Sequence, residues 1–254
     1  MTSGLEGLPA LDAHAHIAAD VTPPQVKALG YSHTFAVTRS LAEAARVAGA
    51  RHGAALTWGL GVHPGVGSAL ADFDERTFAG LVPRFALIGE VGLDKRAGDL
   101  PRQREVLTSI LRVVADEPVL LSIHSSGAAD QLLDLIDTHA HPGIILHWWT
   151  DDGPALERAL ATGAYFSINA AVKPSVLARI PSERVLTETD FPARKAGGRR
   201  PGDVTKAEAL LGEHWHMTAQ AARTQIWANL RRLAARAGAL DRLPTPLADL
   251  LDDV

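Results

Sequence analysis

The stretch LDAHAHI, residues 11–17, places two histidines one position apart near the start of the chain. In a β-strand, side chains two positions apart point to the same face, so Asp12, His14 and His16 are expected to share a face. Two imidazoles and a carboxylate on one face form a sensible chelating geometry. Because a short His-x-His pattern also arises by chance, other parts of the chain must supply further ligands.

The rest of the sequence alternates short apolar, β-rich runs with longer helical patterns. The eight predicted strands cover residues 11–17, 33–39, 55–64, 85–93, 119–126, 143–150, 164–172 and 184–192. Eight strands that alternate with helices over a chain of this length are typical of an α/β fold of the (β/α)8 TIM-type barrel, which closes the sheet and leaves no edges. A doubly wound open sheet is the alternative.

Two helical segments carry start and stop signals. Residues 101–117 open with Pro101 and repeat apolar residues on one face, as an amphipathic crossover helix does. Nearer the end, Thr218 is suited to cap a helix that would stop at Gly238. The tail that follows, residues 239–254, spaces its leucines at helical intervals, so we expect it to cover the barrel or to dock on a protein partner.

The composition favours one globular body, and we expect a single barrel domain over residues 1–254. Hydrophobic residues make up 46% of the chain, but apolar runs end well short of the roughly 18 residues that a membrane span needs. The N-terminus lacks a basic region followed by an apolar core, so we expect no secretory signal, no membrane association and a cytoplasmic location. A net charge of -4 argues against indiscriminate coating of nucleic acid.

Polar side chains stand at the C-terminal ends of nearly all the predicted strands, where the active site of such a barrel lies. These residues are His14, His16, His63, Glu90, His124, His147, Asn169 and Asp190. Their convergence would cost desolvation and carboxylate repulsion, and bound cations would remove that cost. Because the chain has no cysteine, His, Asp and Glu must hold any metal, which suits zinc, manganese or magnesium.

Each of these residues also has a structural interpretation. His63 either caps a loop or contacts the substrate. His124 either binds metal or forms a hydrogen bond within a turn-rich stretch. His147 either binds metal or is a buried core histidine. Glu90 is harder to explain in this way, because a glutamate that ends an apolar strand needs a charged partner. The other histidines fall at strand starts or in helices and loops and are interpreted as structural or solvated: His33, His52, His139, His141, His214 and His216.

An ordered series of motifs over residues 10–235 resembles the TatD-type metal-dependent hydrolases, a branch of the amidohydrolase superfamily. The motifs are LDAHAHI, GVHPG, GEVGLD, LLSIHSS, IILHWWTD, GAYFSINAAV and VLTETDFP. The family includes DNases and 3′ to 5′ exonucleases that act on single-stranded ends. The resemblance therefore implies DNA, or another phosphodiester, as the substrate.

The resemblance also implies two divalent metal ions and their ligands. The first ion would be held by His14, His16 and Asp190, and the second by His124 and His147. Glu90 would bridge the two ions, at the place where other branches of the superfamily use a carboxylated lysine. Two cations lower the pKa of the water between them, so a hydroxide nucleophile forms without serine or cysteine.

Glu90 and Asp190 are the expected catalytic residues. Asp190 would accept the proton of the attacking water and return it to the leaving group. The loop after Asp190 carries four cations that either clamp phosphates or form a solvated surface: Arg194, Lys195, Arg199 and Arg200. Trp149 shares strand parity with His147 and either presents its ring to a nucleobase or only walls the pocket.

The residues expected around the substrate depart from the family pattern. Family members commonly follow the fifth-strand histidine with Arg-Asp or Arg-Glu, whereas residues 125–127 here are Ser-Ser-Gly. After the sixth-strand histidine, Trp148 and Trp149 replace the usual Cys-Phe. After the Asp-x-Pro motif of the eighth strand, Ala193 replaces the customary tyrosine. The metal set is intact and the substrate surroundings are altered.

Two other functions stay open. The same kind of metal centre can attack carbon, so hydrolysis of a small amide, lactone or modified-base substrate is one of them. The missing arginine favours that function, and the basic loop disfavours it. The other is a hydrolase subunit that works within a multi-protein assembly and docks through its C-terminal tail.

Overall fold

The computed structural model describes residues 7–50, 55–252 and 254, without the side chain of residue 194. Eight β-strands lie side by side in chain order in one sheet, and every paired neighbour is parallel. The strands are β1 (Ala10–His16), β2 (Ser32–Val37), β3 (Leu56–Leu60), β4 (Leu87–Asp94), β5 (Leu120–Ser126), β6 (Ile144–His147), β7 (Tyr165–Ile168) and β8 (Val185–Thr187). The predicted barrel architecture is confirmed.

Helices connect the strands and cover the outside of the sheet. They are α1 (Pro23–Lys27), α2 (Leu41–Val47), α3 (Gly67–Ala71), α4 (Glu75–Leu81), α5 (Leu100–Val113), α6 (Ala129–Thr138), α7 (Pro154–Ala161), α8 (Pro174–Leu177), α9 (Thr205–His214), α10 (Ala219–Arg236) and α11 (Thr245–Asp252). Within the described ranges, none of them combines the length and the apolar character needed to cross a membrane.

Strands and helices form where their residues can be buried. All residues of β2 and β3 are buried, as expected for parallel strands covered on both faces. Helix α5 turns one apolar face inward, with Val106 and Ile110 buried, and each such side chain contributes about 1.5 to 3 kcal/mol. Helix α10 begins after Thr218, whose hydroxyl accepts a hydrogen bond from Ala221, and it stops just before Gly238.

The barrel closes where β8 returns to β1. The backbone N–H of Asp190 donates to the carbonyl of His14 at 2.9 Å, and the N–H of His16 donates to the carbonyl of Phe191 at 2.8 Å. The Thr187 hydroxyl donates to a β1 carbonyl at 2.5 Å. These bonds bring the two ends of the barrel sequence together at the mouth of the barrel.

Asp12 strengthens this closure and does not join the histidines of its strand. Its carboxylate accepts hydrogen bonds from the N–H and hydroxyl of Thr189, at 2.8 and 2.7 Å, and from the N–H of Gly202 at 2.8 Å. The pairing of β1 shifts register between Asp12 and Ala15, so strand parity does not carry from Asp12 to His14. The expectation that Asp12 shares the chelating face is therefore wrong. Burial raises the pKa of Asp12 to about 7, against the hydrogen bonds that lower it.

Several strands end earlier than predicted. Strand β6 stops at His147 because Trp148 has a φ of 39°, and the chain after β8 turns at Asp190, whose φ is 44°. These left-handed conformations do not fit a strand. Asp190 consequently lies on the loop after β8, and His63 lies on the loop after β3.

The C-terminal tail lies on the chain's own barrel. Helix α11 packs against α10, with Leu247 and Leu251 buried. The guanidinium of Arg231 on α10 also donates to the carbonyl of Val254 at 2.8 Å.

Candidate active site

Glu90 lies at the centre of a cluster of ionisable side chains at the barrel mouth and is almost fully buried. One carboxylate oxygen, Oε2, is 3.1 Å from Nε2 of His16 and 3.5 Å from Nε2 of His14. Oδ1 of Asp190 is 3.8 Å from each of these nitrogens. Two imidazoles and two carboxylates thus face one another on the β1–β8 side of the barrel.

The other oxygen of Glu90, Oε1, faces a second pair of histidines. It is 2.8 Å from Nδ1 of His124 and 3.0 Å from Nε2 of His147, and these two nitrogens are 3.0 Å apart. The rings of His14 and His147 stack at a centroid distance of 3.8 Å, which joins the two halves of the cluster. Glu90 therefore lies between two sets of donor atoms, one at each of its oxygens.

Glycine lets the backbone approach Glu90 from the neighbouring strand. A Cβ atom on Gly61 would lie 1.9 Å from the carbonyl of Thr38 and 2.4 Å from the backbone nitrogen of Glu90. Any larger residue would push these segments apart. Gly61 is thus part of what holds Glu90 at the centre of the barrel mouth.

The donor set fits divalent cations. Nε2 of His14 and Oε2 of Glu90 are buried, face one another and lack a hydrogen-bond partner in the described part of the chain. Ligand atoms about 2.1 Å from a tetrahedral zinc lie about 3.4 Å apart, close to the separations in the cluster. Ligand atoms lie within 4.8 Å of one another in three groups: His14, His16 and Glu90; Glu90, His124 and His147; and His14, His147 and Asp190.

The charges in the cluster keep Glu90 ionised. Burial opposes ionisation of Glu90, but the imidazoles of His124, His14 and His147 beside it hold its pKa well below the usual range. Burial lowers the pKa of His14 far below its usual value, and the neighbouring His147 adds to this effect. Burial raises the pKa of Asp190 to about 6. A carboxylate beside a neutral imidazole is the state in which both bind metal.

Three of the four candidate ligand histidines, His14, His124 and His147, have a polar group at the second ring nitrogen. Nδ1 of His14 lies 2.7 Å from the hydroxyl of Ser122, and Nε2 of His124 lies 3.5 Å from Oδ2 of Asp94. Nδ1 of His147 faces Oε2 of the buried Glu188 at 3.6 Å. Such partners fix the orientation of an imidazole ligand.

His63 belongs to the same cluster. Its Nε2 lies 3.2 Å from Oε2 of Glu90, and its Nδ1 accepts a hydrogen bond from the N–H of Gly65 at 2.8 Å. Burial lowers the pKa of His63. The ring is partly exposed, so it can reach both Glu90 and a substrate above the cluster.

A cavity of about 340 Å³ opens beside this cluster. It is lined by Arg96, His124, Ser125, Ser126, Gly127, His147, Trp148, Thr150, Asp190 and Lys195. The two basic residues of this lining, Arg96 and Lys195, are exposed, so their side chains are accessible to a ligand. The cavity places the positive charges of Arg96 and Lys195 next to the candidate metal ligands His124, His147 and Asp190.

Two residues expected to contact substrate lie elsewhere. Trp149 is 1% exposed and packs edge-on against Phe166, because the left-handed turn at Trp148 breaks the strand parity on which that expectation rested. Trp148 lines the cavity in its place. Arg200 donates to the carbonyl of Leu29 and does not line the cavity.

The other two arginines of the loop, Arg194 and Arg199, were also expected to contact the substrate. Arg199 is exposed and does not line the cavity, and its backbone N–H donates to Asp203 at 3.1 Å. The side chain of Arg194 lies outside the described residues. Among the predicted loop cations whose side chains the structure describes, Lys195 is the one that lines the cavity.

Sequence reasoning missed Arg96, Asp94 and Glu188. Each of them had a signal in the sequence: Asp94 and Arg96 stand at the end of the predicted strand that carries Glu90, and Glu188 precedes Asp190 by two positions. All three stand near the C-terminal end of a barrel strand, where functional residues of this fold lie.

A parallel eight-stranded barrel with buried histidines and carboxylates at the C-terminal strand ends is the architecture of barrel-type metal-dependent hydrolases. The sequence profile of one such family, described as TatD related DNase, matches residues 11–235. The chain therefore belongs to the TatD-related DNase family, which is metal-dependent, as the sequence motifs predicted.

Individual relatives agree with this membership. The 3′-5′ ssDNA/RNA exonuclease TatD of Salmonella typhimurium is 30% identical over 146 residues, which cover 52% of this chain and 56% of that protein. The match thus spans about half the length of this curated relative.

Two solved structures show the same fold. YJJV, a TatD homologue from Escherichia coli K12, has a TM-score of 0.74 at 21% identity, covering 88% of this chain and 96% of that one. A TatD family hydrolase from Entamoeba histolytica has a TM-score of 0.70 at 14% identity, covering 89% and 98%.

Proposed function

We propose that the protein is a phosphodiesterase that hydrolyses DNA from single-stranded 3′ ends with two divalent cations, which are zinc, manganese or magnesium. The observation that carries the proposal is the position of Glu90. Its two oxygens face separate sets of imidazole nitrogens, at 3.1 and 3.5 Å on one side and at 2.8 and 3.0 Å on the other. The exonuclease name of the curated relatives supports the choice of substrate.

The proposed ligands divide between the two cations. His14, His16 and Asp190 would hold one, His124 and His147 the other, and Glu90 would contact both. When bound, the cations would supply Lewis-acid stabilisation of the phosphoryl oxygens and a lowered pKa for water. The ionised Glu90 and the buried imidazole of His14, whose pKa burial lowers, would hold these cations in a site largely closed to solvent.

Asp190 is the proposed proton acceptor. Its carboxylate is partly exposed and lines the cavity, whereas Glu90 is buried beneath it. An attacking water over the cluster can therefore give its proton to Asp190, which returns it to the leaving oxygen. His63, partly exposed beside Glu90, is placed to contact a phosphoryl oxygen of the substrate.

A nuclease assay on the purified protein tests this function. Single-stranded DNA, double-stranded DNA and RNA oligonucleotides are incubated after chelation and again with added zinc, manganese or magnesium. We expect metal-dependent shortening of single-stranded DNA from its 3′ end, and none with a His14→Ala, His16→Ala double variant. Metal-replete protein that leaves every oligonucleotide intact would disprove the proposal.

A second candidate is the hydrolysis of a small amide, lactone or modified base. The neutral wall formed by residues 125–127, where the family pattern described under the sequence analysis has an arginine, favours it. The cavity of about 340 Å³ is also in the size range of small-molecule sites. Turnover of lactones or acyl amides by protein that leaves oligonucleotides intact would establish this candidate in place of the first.

The cell compartment and the partners belong to the same proposal. We expect the protein to act in the cytoplasm, where its DNA substrate lies, and cell fractionation would check this location. Docking of a protein partner through the C-terminal tail would have to use surface other than Leu247 and Leu251, because both are buried on the barrel.

A further inference from the structure

We infer that the cavity beside His124 and His147 is a subsite for a second phosphate group of the substrate, next to the scissile one, and that Arg96 and Lys195 bind it. This inference rests on the proposed phosphodiesterase function and specifies the substrate of that site. Residues 125–127, at the end of β5, carry no positive charge. Arg96 from the turn after β4 and Lys195 from the loop after β8 supply it to the cavity.

Arg96 is held at the cavity by the turn that follows β4. Its backbone N–H donates to Oδ1 of Asp94 at 2.8 Å, and Oδ2 of the same carboxylate faces Nε2 of His124 at 3.5 Å. The turn is thereby tied to a proposed metal ligand. The guanidinium of Arg96 is exposed, lines the cavity and forms no ion pair within the described residues.

Lys195 reaches the cavity from the loop after β8. The next residue, Ala196, is buried, and its carbonyl accepts a hydrogen bond from the N–H of Ala170 at 3.1 Å. This bond anchors the turn that carries Lys195 to the loop after β7. Like Arg96, Lys195 is exposed and, in the part of the chain that the structure describes, forms no ion pair.

The charge balance of the site favours an anion in this cavity. Glu90 and Asp190 face the proposed cations, so they do not neutralise Arg96 and Lys195. Arginine and lysine donate charge-assisted hydrogen bonds to phosphate oxygens, and the hydroxyls of Ser126 and Thr150 line the same space. The cavity of about 340 Å³ has room for a phosphate and the sugar attached to it.

A second groove, on the β1 side of the cluster, is lined mainly by apolar residues and carries no lysine or arginine among its described lining. It has a volume of about 470 Å³, begins at His16 and is lined by apolar residues such as Ile17, Val21 and Phe191. Asp20 is the charged residue among its described lining, and it would repel a phosphate. A substrate that crosses the cluster would therefore place its second phosphate over β5 and β6 and an uncharged nucleoside over β1.

The test compares three dinucleotides that share one scissile phosphodiester: TpT, pTpT and TpTp. For the metal-loaded wild type we expect one of the two end-phosphorylated forms to have a KM at least tenfold below that of TpT. We expect Arg96→Gln and Lys195→Gln each to remove most of this advantage while changing the KM for TpT less than twofold. Arg199→Gln, in the same loop but outside the cavity, is the matched control and should keep the advantage.

The outcomes separate the inference from the function on which it rests. Cleavage of TpT without any gain from either terminal phosphate, or a gain that survives both variants, would overturn the inference and leave the phosphodiesterase intact. If dinucleotides are not cleaved but single-stranded DNA is, the same variants are compared on the oligonucleotide. An unchanged KM in Arg96→Gln and Lys195→Gln would then overturn the inference, and a rise in both but not in Arg199→Gln would support it. Absence of cleavage of all these substrates would refute both.

Discussion

The hydroxyl of Ser122 lies 2.7 Å from Nδ1 of His14, and both groups are fully buried. When Nε2 of His14 serves as a ligand, Nδ1 carries the proton, and this N–H donates a hydrogen bond to the Ser122 hydroxyl oxygen. We expect Ser122→Ala to weaken binding of a divalent cation by about 10 to 100-fold, because the imidazole loses its orientation. Titration with cobalt, followed by its visible spectrum, measures this change. Ser109→Ala, on the outer helix α5, is the control, and equal affinities in the two variants would show that Ser122 has no positioning role.

Metal content provides a direct test of the ligand assignment. We expect a His14→Ala, His16→Ala double variant to lose at least one ion per chain, because both nitrogens face Glu90 and Asp190. Elemental analysis of the purified protein gives the stoichiometry. A double variant of the exposed His214 and His216 removes two histidines from the surface and should retain the wild-type content. Loss of metal in both proteins would point to nonspecific binding.

Asp190→Asn separates metal ligation from proton transfer. Asparagine keeps one coordinating oxygen at nearly the same volume, but it does not accept a proton at neutral pH. We expect metal content to fall in part and kcat to fall by about 10² to 10⁴ even with excess metal. Turnover, metal content and thermal unfolding are measured on one preparation. Full metal occupancy with wild-type turnover would contradict the general-base role.

The two adjacent tryptophans should respond differently to truncation. Trp149 is buried against Phe166, so Trp149→Ala should destabilise the fold by about 3 to 5 kcal/mol. Trp148 lines the cavity, so Trp148→Ala should raise KM for single-stranded DNA by the loss of a stacking surface, with a smaller change in stability. Denaturant unfolding and steady-state kinetics on both variants decide this. The reverse pattern would place Trp149 at the substrate.

His141, whose hydrogen-bond partners lie outside the cluster, gives a pH dependence of stability. Its Nε2 lies 3.1 Å from the carbonyl of Glu117, and its Nδ1 accepts the N–H of Gly143 at 3.0 Å, a pairing that suits the neutral ring. Burial lowers its pKa in the folded state. The unfolded chain therefore binds this proton first, so stability present above about pH 6.5 is lost as pH falls toward the folded pKa.

A variant isolates the contribution of His141. We expect the free energy of unfolding of the wild type to fall more steeply between pH 7 and pH 5.5 than that of His141→Gln, with a difference of up to about 1.4 kcal/mol per pH unit. Urea unfolding at several pH values measures both slopes. Parallel slopes would show that His141 titrates alike in the folded and unfolded chain.

The sequence was sufficient to predict the barrel and the residues at its mouth. Parallel strands of a closed barrel present their C-terminal ends at one face, so His14, Glu90, His124 and Asp190 could be expected to converge from their positions alone. Their convergence in the structure follows from strand order, which short apolar runs and helical patterns define well.

The orientation of side chains beyond the strand ends could not be predicted in the same way. Strand parity failed at Asp12, where the β1 register shifts, and at Trp149, after the left-handed turn of Trp148. Arg200 was expected at the substrate from its distance along the chain, but its guanidinium bonds to the Leu29 carbonyl. Backbone irregularities of this kind depend on tertiary contacts, which local sequence patterns do not contain.

The bonds between Asp12 and Thr189 join positions 177 residues apart, and the first and last proposed ligands lie directly beside them. Closing so long a loop costs conformational entropy before the contact stabilises the fold, which makes such contacts slow to form. A chain still emerging from the ribosome holds the early histidines but lacks the closing aspartate. The proposed nuclease would therefore gain its activity only once synthesis has passed β8 and Asp190.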